Sequence, residues 1–87
     1  MAADPGPPGL REKLIAIICK ERPSPDNELT SADICERLIH VGVGASEVCV
    51  AQILDRLAMQ GDVTLVLGSV TSGAARTIRG VSSELCL

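Results

Sequence analysis

The chain has 87 residues, one domain at most, with no room for a second lobe closing over a deep cleft. At 46% apolar and 22% charged it carries enough apolar side chains to fold, which argues against disorder throughout. The formal charge of −3 and the lack of Phe, Tyr and Trp disfavour two ways of holding nucleic acid unaided: counterion release by a basic surface, and base stacking on aromatic rings.

The core must be built from Leu, Ile, Val, Ala, Met and Cys, so modest stability is expected. Cys19, Cys35, Cys49 and Cys86 show no C-x-x-C spacing, and three of them fall among apolar residues at helical positions. They read as reduced thiols acting as small hydrophobes, as in a cytosolic or nuclear protein. No apolar leader precedes the fold, and no segment is long enough for a membrane span. Ala2 argues against myristoylation, and the position of Cys86 argues against prenylation.

Residues 1–9 are rich in Pro and Gly and read as a disordered lead-in; the folded domain is expected over 10–81. A first helix begins near Leu10, with Leu14, Ile17 and Ile18 on the same side, and ends before Pro23 and Pro25. Thr30, with Asp33 three residues on, has the form of a capping box for a second helix, whose stripe is Ile34, Cys35, Leu38 and Ile39. Gly42 and Gly44 end it. Ser46 caps a third helix with Val50, Ile53, Leu54 and Leu57 on its buried face, and Gly61 stands at its C-terminal stop. Val63–Leu67 then reads as a strand, 68–73 as a turn, and Arg76–Val81 as a return strand with Ile78 inward. Residues 82–87 show no pattern and are expected to form a flexible tail. Three helices followed by a β-ribbon is the order of an α+β winged helix, with a helix-turn-helix pair and a C-terminal hairpin wing.

In such a fold the third helix, Ser46–Gln60, is the one that reads a major groove. Its outward candidates are Ser46, Glu47, Gln52, Asp55, Arg56 and Gln60. Gln52 and Arg56 lie four apart and share a face suited to adenine and guanine edges, whereas Asp55 beside them repels phosphate. Arg76 and Arg79 lie on or near the return strand, and Lys13, Lys20 and Arg22 add positive charge from the first helix and its end. A wing arginine can reach a minor groove or merely keep a hairpin soluble.

Enzyme chemistry has little support. Cys35 and His40 are five apart, a poor fit to one helical turn, and no third group is in view to orient the imidazole. Metal-ligand spacing is lacking, so neither a metal nor another cofactor is expected. Gly42-Val43-Gly44 has no strand before it and no further glycine in phase, so it reads as a turn, not a phosphate loop. Val41, Val43, Val48 and Met59 exceed what so small a core can hold. They supply either an exposed partner-facing patch or, for the two valines near the turn, packing beneath the wing.

The run Arg22-Pro-Ser-Pro, then Leu29-Thr-Ser-Ala-Asp-Ile-Cys-Glu-Arg-Leu38, then a helix ending Leu57-Ala-Met-Gln-Gly61 before a strand, resembles the C-terminal winged helix of the replication protein A middle subunit. It is also similar to the N-terminal winged helix of the RNA polymerase III subunit related to general transcription factor E. The shared features cover roughly residues 10–80: the apolar pattern, the capped second helix and one glycine. The first resemblance implies a recruitment module for replication and repair factors, and the second implies a subunit of a transcription complex. The Gln60-Gly-Asp-Val63 helix exit is similar to that of Z-DNA-binding domains. Those domains need an Asn and a Tyr on the third helix and a Pro-Pro-x-Trp wing, whereas this helix has Ala51 and Asp55 and this wing has Ala-Ala-Arg, so Z-DNA binding is rejected.

The expectation is a non-catalytic, nuclear protein-interaction module for DNA replication, repair or transcription, with no small-molecule substrate and no membrane partner. A partner's amphipathic helix or strand would lie on the wing and third helix. Val63, Leu65 and Val66 would supply apolar contact, and Arg76 and Arg79 would meet acidic groups. The alternatives are a duplex DNA binder using Gln52, Arg56, Gln60 and Arg76, and a structural subunit of an RNA polymerase complex.

Overall fold

The computed structural model describes residues 6–66 and 75–87. Its elements are α1 (Leu10–Glu21), β1 (Leu29–Thr30), α2 (Ser31–His40), α3 (Glu47–Met59), β2 (Val63–Leu65) and β3 (Thr77–Val81). The three strands form one antiparallel sheet in which β3 lies between β1 and β2. Three helices carrying a small sheet with a C-terminal hairpin is the winged-helix arrangement expected from the sequence. The expected turn over 68–73, together with Leu67, lies outside the described residues.

Each helix forms for a local reason and is held by its apolar face. On α1, Leu10, Leu14 and Ile18 recur every fourth residue and are buried, while Ile17 is only partly covered. The helix stops at Arg22, a left-handed non-glycine residue (φ 50°), followed by buried Pro23, which cannot continue it. The Thr30 side chain accepts from the Asp33 N–H at 3.1 Å and the Asp33 carboxylate accepts from the Thr30 N–H at 3.4 Å, so the capping box starts α2. Ser46 caps α3 by accepting from the Cys49 N–H at 3.2 Å, and Gly61 adopts φ 80° where that helix ends.

The three helices and the sheet share one core: Leu10, Leu14, Ile18, Leu29, Ile34, Leu38, Val50, Ile53, Leu54, Leu57, Val63 and Ile78. Each such aliphatic side chain contributes on the order of 1.5–3 kcal/mol through burial. Ile39 departs from the expected α2 stripe. It is 67% exposed, because the buried positions of this helix are Ser31, Ile34 and Leu38 and Ile39 has turned past that seam.

The two-residue strand β1 has no counterpart in the sequence reading. Leu29 pairs with Ile78 and Thr30 with Thr77, so the residue that caps α2 also closes the far side of the sheet. The chain end is also more structured than its composition indicates. Residues 83–86 form turns, Leu85 packs on the core, and the Ser82 N–H donates to the Asp62 carbonyl at 2.8 Å. Cys86 is bonded to Cys19 of α1. This corrects the expectation of four reduced thiols: the fold brings the Cα atoms of Cys19 and Cys86 to 5.5 Å across 67 residues of sequence, within bridging distance. Cys35 and Cys49 are free and half-buried.

Candidate functional site

The outer face of α3 contains the residues proposed to read a duplex. Val48, Gln52, Asp55 and Met59 follow a spacing of four, three and four and therefore share one helical face, with Arg56 beside it. Gln52 and Arg56 are exposed. Gln60, just past the helix, accepts a 3.4 Å hydrogen bond from the Arg11 guanidinium, so it is tied to α1. At the two ends of this face, Val48 is 55% and Met59 88% exposed.

The start of α3 is joined to α2 and β3 through Ser31, the one buried polar residue among the described residues. Its hydroxyl donates to the Glu47 carboxylate at 2.8 Å and accepts the Arg76 backbone N–H at 2.9 Å. The Ser31 N–H donates in turn to the Arg76 carbonyl at 2.8 Å. No local signal in the sequence marks Ser31, because its contacts lie 16 and 45 residues away.

The Arg76 side chain does not project from the wing as an unengaged cation. Its guanidinium donates to both carboxylate oxygens of Asp55, at 2.8 and 3.1 Å, and also to the Ala75 carbonyl at 2.9 Å. The hydrogen bond to Asp55 raises the Arg76 pKa; partial burial opposes this, and the Asp55 charge adds to it. Expectations for both residues change as a result. Asp55 balances a wing arginine instead of standing as an isolated repulsive charge, and Arg76 is already committed within the chain. Arg79 is exposed on β3. Thr64 pairs with Gly80 but Leu65 with Ile78, so the register slips and leaves Arg79 opposite no residue of β2.

Of the three apolar residues expected to meet a partner, Val63 is 4% exposed and belongs to the core, where no partner can reach it. Leu65 also packs on the core but keeps part of its surface, and Val66 is half-buried. Val41 does not pack beneath the wing: it is 55% exposed, whereas Val43 rests on the core.

Lys13 and Lys20 meet α2 rather than the wing. With Ala16, Ile17 and Glu21 of α1, and Arg37, His40 and Val41 at the end of α2, they line a groove of about 390 Å³. Glu21 and Arg37 form an ion pair of 2.7 Å. Arg22 instead lines a second groove of about 360 Å³ beside the chain end, with Pro23, Ser82 and Cys86.

The Cys35 thiol is pushed above its ordinary pKa, first by burial and then by the Glu47 charge, which opposes thiolate formation. Among the described residues, no three His, Cys, Asp or Glu side chains come together as a metal site. No helix among them is long and apolar enough to cross a membrane. No family model matches the chain, and neither curated proteins nor solved structures show significant similarity to it.

Proposed function

We propose that this winged helix is a non-catalytic, nuclear protein-interaction module that recruits partners in DNA replication, repair or transcription. The observation that carries this reading is the makeup of the α3 face. There, Asp55 and Arg76 are joined to each other and cancel in charge, so with Arg56 beside them the face falls far short of a basic surface. Exposed Val48 and Met59 flank the polar centre. A duplex offers phosphates, which favour net positive charge. A protein segment can cover two apolar side chains and hydrogen-bond Gln52 between them. The sheet adds a second contact: β2 is an edge strand among the described residues, so an extended segment can pair with it while a helix lies on α3. In a reducing nucleus Cys19 and Cys86 would be thiols. Leu85 and the Ser82–Asp62 hydrogen bond would then keep the chain end in place.

Affinity capture from nuclear extract tests this reading. The intact chain should retain proteins that a Val48→Glu/Met59→Glu variant loses, and its duplex binding at physiological salt should be weaker than micromolar. The rival reading is a duplex-binding winged helix, favoured by exposed Gln52 and Arg56 on α3. Salt-sensitive duplex binding at sub-micromolar affinity, abolished by Gln52→Ala and Arg56→Ala, would establish the rival. A structural role in a polymerase complex would show as a free domain that is only marginally folded.

A further inference from the structure

We propose that the groove between α1 and α2 is a second docking surface, whose occupant is an acidic amphipathic helix of a partner protein. The inference does not depend on how the α3 face is used. Charge placement is the first observation. The chain is acidic, with eleven carboxylates against eight lysines and arginines, yet this groove holds three of those cations and one of the carboxylates. Glu21 is already paired with Arg37. Lys13 and Lys20 are exposed and have no ion-pair partner among the described residues.

The spacing is the second observation. Lys13 and Lys20 are seven residues apart on one helix, two turns or about 10 Å along the axis. Ala16 and Ile17 lie midway between them, and Val41, just past the end of α2, faces the same groove. A cation, an apolar patch and a second cation therefore follow one another along α1. A helix carrying carboxylates two turns apart, with apolar side chains midway, matches this sequence of contacts in both charge and period. A nucleic-acid strand would satisfy the lysines but would offer Ile17 and Val41 little aliphatic surface beyond a thymine methyl. The Glu21–Arg37 pair joins the two helices on either side of the groove, so the side chains left to be ordered on binding are those of Lys13 and Lys20.

The probe is a stapled helical peptide of about 15 residues, a length at which an unstapled helix is marginal. It carries Glu at i and i+7 and Leu at i+3 and i+4, and is titrated into the isotope-labelled full chain. Chemical-shift changes should centre on Lys13, Ile17, Lys20 and Val41. Lys13→Glu/Lys20→Glu should weaken binding by at least about tenfold, with a well-dispersed amide spectrum showing that the fold survives. A peptide with Ser in place of both Leu should bind more weakly. Val48→Glu/Met59→Glu should bind the peptide normally, which separates this surface from the α3 face. The proposal is overturned by a lack of saturable shifts at millimolar peptide, by shifts centred on α3, or by unchanged affinity in the double-lysine variant. Equal binding of the Ser peptide, or equally tight competition by oligothymidylate, would also overturn it, since either marks a general polyanion site.

Discussion

Asp55 of α3 and Arg76, immediately before β3, form a two-point contact of 2.8 and 3.1 Å across 21 residues of sequence. This contact ties the recognition-type helix to the base of the wing. The Asp55 side chain is 42% exposed, so solvent screens much of the Coulombic attraction, and the geometric constraint matters more than the bare charge. Asp55→Asn should cost about 1 kcal/mol, seen as a fall in Tm of roughly 4–8 °C for a domain of this size. An unchanged Tm would show that the pair orients the wing without stabilising it.

Ser31→Ala removes the hydroxyl that serves both Glu47 and the Arg76 backbone. The Arg76 N–H loses that acceptor in a partly buried position. The expected loss is about 1–3 kcal/mol, the worth of a hydrogen bond to a charged carboxylate together with one to a backbone amide. The urea midpoint should fall with an unchanged m-value, because the surface exposed on unfolding stays the same. A changed m-value would mean that the folded state itself has loosened.

Reduction of Cys19–Cys86 opens a covalent loop spanning 67 residues. The loop-closure account of crosslinking places the stabilisation at up to about 4 kcal/mol. Oxidised protein should therefore melt higher than protein in reductant, and Cys86→Ser should melt like the reduced form whether or not reductant is added. Identical melting of oxidised and reduced protein would show that Leu85 packing suffices to seat the chain end.

Burial, aided by Glu47, favours the neutral thiol of Cys35 in the folded chain. The stabilisation is complete below the ordinary thiol range near about pH 8.5, and is lost as pH rises through that value towards the raised folded one. Alkylation by iodoacetamide at mildly alkaline pH should be slower at Cys35 in the native chain than in the unfolded chain, followed by peptide mass spectrometry. Glu47→Gln should speed it modestly. Equal native and unfolded rates would show that burial does not protect the thiol.

The regular elements were legible because their causes are local. Thr30 and Ser46 announce their helices through hydrogen bonds three residues long, Gly61 ends one through its left-handed backbone, and Leu10, Leu14 and Ile18 mark a buried stripe by period. Those signals sufficed for three helices, a C-terminal hairpin and hence the winged-helix order. What the tertiary structure decided are relationships between residues far apart in the chain. These are β1 against β3, Ser31 beneath Glu47 and Arg76, Arg76 held by Asp55, Cys19 joined to Cys86, and the groove that brings Lys13 and Lys20 to the end of α2. The physical reason is that local hydrogen bonds and periodicity depend on neighbours along the chain, whereas a side chain's partner depends on which faces meet when the shared core closes. Val63 and Ile39 show the difference: both are apolar and both adjoin a helix or strand face, yet one is sealed in the core and the other stands in solvent.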